Sequence, residues 1–435
     1  MSRDSRHSHA SARALAWDVL IACLDRGIPI QEALNHALSR SGLEARDRHL
    51  ASELAYGFLR YKGRMDFLVR HYLSQPERTP KPVLMLMGMG AYELVFLRIP
   101  SYATLNSYVD LVKRSRFQGL AKVVNAVLRR IADLGDDTLN QELYRSWNRN
   151  HEQSDAAWFS LPPWLYDVLR KQCGYIEPQH FETLLHAPFL GVRVNRLYPD
   201  FDRIRKSLGD RSDLIVYDGP MFCLPPGTLE HVDSLVRQGC ISLQGYGSYE
   251  ALMRLEPGSW EYPLWEACCG RGTKTCALLE SGLAPYLVSD HHSGRLLGLC
   301  EDIERLRLPQ PFVFQAAAEL PPPFIAKPRT IFLDVPCSGL GVLSRRPDIK
   351  WKLSKAQIQE YINVQQAMCD NAMAQLEPGG KLVYMTCTVN PQENEKQMER
   401  LARVHGAVIE DMQLTPWDTP WNERLFGAVV RKRSA

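Results

Sequence analysis

The chain has 435 residues, 45% of them hydrophobic and 23% charged, and a net charge of +3. That length points to two or three domains, and the composition is that of an ordinary globular protein, which excludes disordered and fibrous classes. No apolar run reaches the ~18 residues of a membrane span, and Met1-Ser-Arg-Asp-Ser-Arg-His7 opens on no apolar signal core, so a cytoplasmic protein without membrane contact is expected.

In chain order, residues 10–132 read as helical. Apolar residues recur at helical spacing over 12–24, 51–72, 83–97 and 107–131, with breaks at Gly27-Ile-Pro29, 76–82 and Arg98-Ile-Pro100. The lengths and short connections suit a compact bundle over residues 1–135. Residues 1–150 hold 22 Lys+Arg against 15 Asp+Glu, so this module carries 22 − 15 = +7 and the rest carries +3 − 7 = −4. A basic module beside an acidic body suits a polyanion contact; solvated helix faces give the same count. Polar residues 135–155 read as a linker. Residues 156–245 read as a small α+β region, opened by Leu161-Pro-Pro-Trp164 ahead of a helix, with short strands at 190–197 and 213–217.

From 246 to 435 strands and helices alternate. Strands are expected at 264–268, 286–289, 312–315, 330–333 and 381–385, and helices over 273–280, after Asp290, and over 355–376. Such βαβ succession predicts an open, mainly parallel sheet covered on both faces, with its ligands at the carboxyl ends of the strands.

The chemistry-bearing motifs fall at those ends. Glu266-Ala-Cys-Cys-Gly-Arg-Gly-Thr-Lys274 follows the first strand; its glycines permit a tight turn and close backbone approach to a ligand, and a plain strand-to-helix turn explains them equally. It is neither a dinucleotide fingerprint nor a P-loop. Asp290 ends the second strand, where a carboxylate binds ribose hydroxyls or caps a helix. Asp334-Val-Pro-Cys-Ser-Gly-Leu-Gly341 follows the fourth strand, and Thr386-Cys-Thr388 the fifth. One cysteine in such a turn is ordinary packing. Two at matching strand ends, beside an Asp, fit covalent catalysis on a pyrimidine. A thiolate adding to carbon 6 of cytosine makes carbon 5 electron-rich enough to accept a methyl group, an acid at ring nitrogen 3 stabilises the adduct, and a base removes the carbon 5 proton. Spacing alone leaves Cys337 and Cys387 interchangeable. Ser344-Arg-Arg-Pro-Asp-Ile-Lys-Trp-Lys352 offers cations and an indole for phosphates and stacked bases, or a solvated basic loop. The eleven cysteines are scattered without a CxxC pair, so neither a disulfide framework nor a metal site is expected.

Asp334–Cys337, Arg345-Arg-Pro-Asp-Ile-Lys-Trp351 and Thr386-Cys-Thr388, in that order, resemble the Sun/Fmu-type RNA cytosine-5 methyltransferases, and within them the RsmB-like rRNA enzymes. Glu53-Leu-Ala-Tyr-Gly-Phe-Leu-Arg60, Leu97-Arg-Ile-Pro100 and Val124-Asn-Ala-Val-Leu-Arg-Arg130 resemble their NusB-like helical RNA-binding domain. Leu161-Pro-Pro-Trp164 and Val192-Arg-Val-Asn195 match the region between. The resemblance covers most of the chain. It implies a multidomain protein: an all-α NusB-like bundle, a small α+β region, and a Rossmann-like α/β class I methyltransferase domain. It implies Cys387 as nucleophile, Cys337 as the cysteine assisting release, and Asp334 as the acid near base and cofactor. Cys268, Cys269, Gly270, Arg271, Gly272, Thr273, Lys274 and Asp290 would bind S-adenosylmethionine, and Arg345, Arg346, Lys350 and Trp351 would contact RNA. A monomer acting on 16S rRNA, with no metal, is expected.

The chain departs from the family pattern in four places. Its loop reads Cys-Cys-Gly-Arg-Gly-Thr-Lys instead of Cys-Ala-x-Pro-Gly-Gly-Lys, and Glu266 stands where Asp is usual. Gln315-Ala-Ala-Ala318 lacks an adenine-reading acid, and Gln244-Gly245 replaces Gln-Asp. Those changes keep a second reading open, an RNA-binding assembly or antitermination factor without catalysis. A DNA cytosine methyltransferase is disfavoured, because such enzymes use the Pro-Cys thiol as nucleophile and lack the NusB-like domain.

Overall fold

A computed structural model describes residues 11–175, 177–216, 219–228, 232–284, 286–416, 419 and 421–434. The opening segment and Tyr217, the end of an expected strand, lie outside the described residues. The chain forms two compact units: one of residues 1–171, 175–186 and 346–352, the other of residues 172–174, 187–345 and 353–435.

The first unit is helical. It holds α1 (Ala12–Leu24), α2 (Ile30–Ser39), α3 (Ala45–His71), α4 (Lys81–Phe96), α5 (Ser101–Lys113), α6 (Ala121–Leu134), α7 (Gln141–Trp147), α8 (His151–Trp158), α9 (Pro163–Gln172) and α10 (Pro178–Glu182). α4 is apolar nearly all round and buried from Val83 to Glu93, as a central helix must be. Glycines let α3 and α4 close together: a Cβ on Gly57 would meet the Tyr92 hydroxyl at 2.1 Å. Within this core Glu93 is fully buried, yet it accepts from Arg13 Nη2 at 2.6 Å, Thr104 Oγ1 at 2.7 Å and Tyr108 Oη at 3.1 Å. Paired and hydrogen-bonded in this way, a buried charge is tolerated.

Residues 135–155, expected as a linker, instead carry α7 and α8 in the helical unit. Aromatic packing decides this. Tyr144 is fully buried against Phe67, Trp147 stacks on His71 with centroids 3.6 Å apart, and the Arg64 guanidinium lies 3.6 Å over Trp158. Three large rings outweigh the polar residues between them. With α9 and α10 also in this unit, the helical part extends beyond the expected boundary at 156.

The second unit contains two sheets. The smaller has β1 (Leu190–Val194), β2 (Ile215–Val216), β3 (Met221–Leu224) and β4 (Ile241–Leu243), in the order β2-β3-β1-β4 and antiparallel. The larger has β5 (Leu264–Glu266), β6 (Leu287–Asp290), β7 (Phe312–Gln315), β8 (Thr330–Asp334), β9 (Lys381–Thr386), β10 (Val408–Leu414) and β11 (Phe426–Arg431). Its order is β10-β11-β9-β8-β5-β6-β7, with β5 to β9 parallel and the β10–β11 hairpin antiparallel on β9. The helices of this unit include α13 (Tyr246–Met253), α14 (Thr273–Glu280), α15 (Ser293–Leu306), α17 (Lys355–Gln375) and α18 (Glu395–His405); the short α12 (Asp233–Arg237) and α11 (Phe201–Gly209) belong to the smaller sheet's layer, and α16 (Ile349–Lys352) to the helical unit. Apolar clusters lie on both faces of the large sheet, one around Leu278, Leu299 and Phe332, the other around Trp265, Leu333 and Tyr384. β5, β8 and β9 are buried on both sides and read as apolar runs. Strand order reverses beside β5, so the loops after β5, β8 and β9 open at one switch point.

Candidate active site

The glycine loop follows β5. Gly270 and Gly272 adopt φ of +58° and +79°, the left-handed region that favours glycine. A Cβ on Gly272 would also meet Leu299 Cδ1 at 2.1 Å, so the loop closes tightly over α15. Asp290 at the end of β6 is buried; its Oδ2 accepts from Gly270 N and its Oδ1 from His292 N, each at 2.9 Å. Asp290 therefore pins the loop and the start of α15; its Oδ1 also faces His291 Nδ1 at 3.4 Å and Arg295 Nη1 at 3.8 Å, while Oδ2 keeps accepting capacity beyond the Gly270 bond. Arg193 on β1 is buried and anchors the helix after the loop, donating to Glu280 Oε2 at 2.7 Å and Oε1 at 2.9 Å, and also to Gln244. Arg271 is exposed, and burial holds the Cys268 and Cys269 thiols protonated by pushing both upward.

β8 and β9 are neighbouring parallel strands, with Asp334 opposite Met385. The chain beyond each bends into the same space. Cys337 Sγ lies 3.1 Å from Cys387 Sγ, and Cys387 N donates to Cys337 Sγ at 3.3 Å. Lys274, from the glycine loop, reaches across to Asp334 with Nζ 2.5 Å from Oδ2. Both thiols are half-buried.

The two thiols are electrostatically unequal. The hydrogen bond from Cys337 holds the Cys387 thiol below its ordinary range, and Lys274 and Arg345 act in the same direction against burial and Asp334. Cys337 is raised well above its ordinary range, by that shared hydrogen bond, by burial and by the negative field of Cys387 and Glu393. The arrangement favours a Cys387 thiolate that accepts the Cys337 S–H.

Glu266 lies fully buried beneath the loop, where Tyr286 Oη donates to its Oε2 at 2.9 Å. Burial lifts its carboxyl to about 7, against the opposing hydroxyl. The folded state thus holds this proton more tightly than the unfolded chain, whose Glu titrates near ~4.3. Its stabilising effect is complete below that value and is lost as pH rises to about 7. The loss is on the order of 3 kcal/mol. Glu266→Gln is expected to shrink the fall in thermal midpoint between pH 5 and pH 8; an unchanged fall would assign that window to other groups.

The expected RNA-contact segment divides. Arg345 and Arg346 are exposed, and Arg345 Nη1 pairs with the buried Glu423 Oε1 at 2.7 Å. Lys350 is fully buried in the helical unit, donating from Nζ to Arg60 O at 2.7 Å; Trp351 Nε1 donates to Leu59 O at 2.8 Å, with Lys62 Nζ 4.7 Å over its ring. Burial, Arg60 and Arg64 all hold the Lys350 ammonium well below its usual range. Lys350 is therefore a structural plug of the helical unit, a correction to its expected role in binding RNA, whereas Trp351 is half-buried with its indole N–H anchored on Leu59 O. The Lys274–Asp334 pair, Glu423 and Glu393 are site features that residue spacing did not reveal. A Cβ on Gly245 would lie 2.5 Å from Arg345 Nη1 and 2.6 Å from Glu423 Oε2, so the missing Asp side chain at 245 leaves room for the Arg345–Glu423 pair.

A seven-stranded sheet of this order, with its loops meeting at one switch point, defines a Rossmann-like α/β domain, preceded by a helical unit. The family described as 16S rRNA methyltransferase RsmB/F matches residues 252–423, and the NusB family matches residues 10–133. A probable ribosomal RNA small subunit methyltransferase B of Synechocystis is 30% identical, over 94% of this chain and 92% of its own length. The ribosomal RNA small subunit methyltransferase B of Shewanella oneidensis is 29% identical, over 94% of both. The chain belongs to this ribosomal RNA small subunit methyltransferase B family. Among solved structures, PH0851 shares the fold with a TM-score of 0.74 and 18% identity, covering 99% of this chain and all of that one. A methyltransferase homologue from Pyrococcus horikoshii has a TM-score of 0.56 at 18% identity, covering 65% of this chain and 99% of its own. Among the described residues no helix is long and apolar enough to cross a membrane, and no cluster of His, Cys, Asp and Glu is grouped to hold a metal.

Proposed function

We propose that this protein methylates carbon 5 of cytosine in small-subunit rRNA, with S-adenosylmethionine as methyl donor, as a monomer in the cytoplasm. The observation that carries this reading is the contact of Cys337 and Cys387 at 3.1 Å, beside the Lys274–Asp334 pair. Two thiols of opposite electrostatic bias at adjacent strand ends suit addition and elimination on a pyrimidine better than any packing role.

The glycine loop fits a nucleoside donor. Nothing lies within 4 Å of a Cβ built on Gly270, and Asp290 presents an anchored carboxylate at the end of β6. Residues Cys268 to Lys274 with Asp290 would hold it, near Asp334. When bound, S-adenosylmethionine supplies an electrophilic methyl group on a positive sulfur. The protein's own residues do the rest. Cys387, as thiolate, forms a bond to carbon 6 of cytosine, and the displaced electron pair makes carbon 5 nucleophilic. The Lys274–Asp334 pair faces ring nitrogen 3, and its positive end stabilises the charge that builds up there in the adduct. Once Cys387 is bonded to carbon 6 it no longer shares the Cys337 proton, which is released to solvent. The Cys337 thiolate so formed takes the carbon 5 proton after methylation, and the C–H electron pair re-forms the carbon 5–carbon 6 double bond. The carbon 6–sulfur bond then breaks and returns Cys387 to the thiolate. Arg345, oriented by Glu423, and Arg346 contact RNA phosphates, and the basic helical unit adds a sequence-independent grip.

The test joins two measurements on the full chain: calorimetric titration with S-adenosylmethionine, and mass analysis of nucleosides from unmethylated 16S rRNA after incubation. Donor binding and new 5-methylcytosine are expected. No binding at millimolar donor would sink the enzyme reading and leave the RNA-binding assembly or antitermination factor.

A further inference from the structure

Glu393 lies six residues past Cys387, ahead of α18, and is fully buried. It touches neither sulfur, yet both thiol loops end on it. From the first loop, Ser338 N donates to Oε1 at 2.8 Å and Ser338 Oγ to Oε2 at 2.5 Å. From the second, Thr388 Oγ1 lies 3.2 Å and Asn390 Nδ2 3.1 Å from Oε2. Gln365 Nε2 on α17 bridges Oε1, at 3.1 Å, to Pro336 O, at 2.9 Å. Ser338 Oγ and Thr388 Oγ1 are also 2.8 Å apart, so the Ser338 proton goes to Glu393 and the Thr388 proton to either neighbour. Every surrounding group is a neutral donor, a set that suits a carboxylate.

Ser338 directly follows Cys337, and Thr388 directly follows Cys387. A single carboxylate thus clamps the residues next to both sulfurs. The clamp is rigid at its base as well: Tyr384 Oη donates to Glu393 O at 2.7 Å, and Asn394 takes the Thr386 hydroxyl at 2.7 Å while donating to Thr388 O at 2.9 Å. A packing role alone needs no acid here, because burying one is costly unless every oxygen is satisfied.

We propose that Glu393 is a positioning residue for the two-thiol site, clamping the residues next to Cys337 and Cys387 so that the two sulfurs stay in contact in one fixed geometry. This rests on the reading of that pair as the reacting groups. The negative field of Glu393 also raises the Cys337 thiol.

The test uses the full chain, with Glu393→Gln and, separately, Ser338→Ala combined with Thr388→Val, which cuts the hydroxyl links and keeps the acid. Iodoacetamide at neutral pH, read by peptide mass, is expected to label Cys387 at least about 10-fold faster than Cys337 in the unaltered protein. Both variants should narrow that ratio to within about 3-fold, since the two sulfurs are then no longer held in one mutual geometry with unequal surroundings. With rRNA, kcat should fall about 100-fold while KM stays within about 2-fold, the pattern of a misplaced reacting group. A folded variant with unaltered labelling ratio and kcat overturns the proposal. If Glu393→Gln does not fold, the double variant decides by the same ratio. If the labelling contrast responds as expected but no protein methylates RNA, the clamp stands and the assigned reaction is what fails.

Discussion

Cys387→Ala is expected to abolish methyl transfer and to leave no covalent protein–RNA species, whereas Cys337→Ala is expected to trap one. The difference follows from where each sulfur's neighbours lie. The bond shared with Cys337 lowers the Cys387 thiol, and Lys274 and Arg345 act in the same direction against burial and Asp334, so Cys387 is the sulfur favoured as thiolate. Loss of the attacking thiolate should cost at least ~10⁴-fold in kcat, because no neighbouring group replaces a covalent nucleophile. Without Cys337, addition and methylation proceed but the carbon 5 proton has no base, so the enzyme stays bound. Denaturing electrophoresis with labelled RNA reads both outcomes. A Cys387→Ala protein with full activity, or an adduct in that variant, would reverse the two roles.

Lys274→Met is the second large effect. Lys274 is the group that joins the glycine loop to the thiol site, through Asp334 at 2.5 Å. Removing its charge leaves Asp334 without its cation and withdraws one of the influences that lower Cys387. The sign is fixed: less positive charge disfavours the thiolate, so the Cys387 pKa rises. The acid limb of the pH–rate profile should move toward higher pH, with neutral-pH activity down about 100-fold and partly recovered near pH 9. Lys274→Arg should retain more activity than Lys274→Met, because the positive charge is kept. An unshifted acid limb in Lys274→Met would remove Lys274 from the control of Cys387.

How legible the molecule was depends on which force dominated locally. The parallel strands of the large sheet were readable because burial on both faces makes them apolar runs that end at polar turns, and this placed Asp334, Cys337 and Cys387 at strand ends. The β10–β11 hairpin was not read: β10 is a largely exposed edge strand, Val-Ile-Glu-Asp-Met-Gln-Leu, with no clean alternation. Residues 135–155 were misread because polar composition masked the anchoring of Tyr144, Trp147 and Trp158. Lys350 was misread because a lysine in a basic loop is normally solvated, and only tertiary structure shows Arg60 O as its partner. The inequality of the two thiols is likewise invisible in spacing. It arises from Lys274, Arg345 and Glu393, which come from three separate loops and helix starts.

The anchoring of the buried Lys350 and the half-buried Trp351 in the helical unit also bears on how the chain acquires its structure. The bond from Lys350 to Arg60 O spans 290 residues, and that from Trp351 to Leu59 O spans 292. As the polypeptide emerges from the ribosome, the N-terminal unit is built early but must wait for most of the chain before its last plug arrives. Until then the seat around Leu59 and Arg60 stays open, and its closure carries a long loop-entropy cost. Synthesis of the N-terminal segment by itself therefore yields an incomplete unit, and the catalytic half supplies the piece that finishes it.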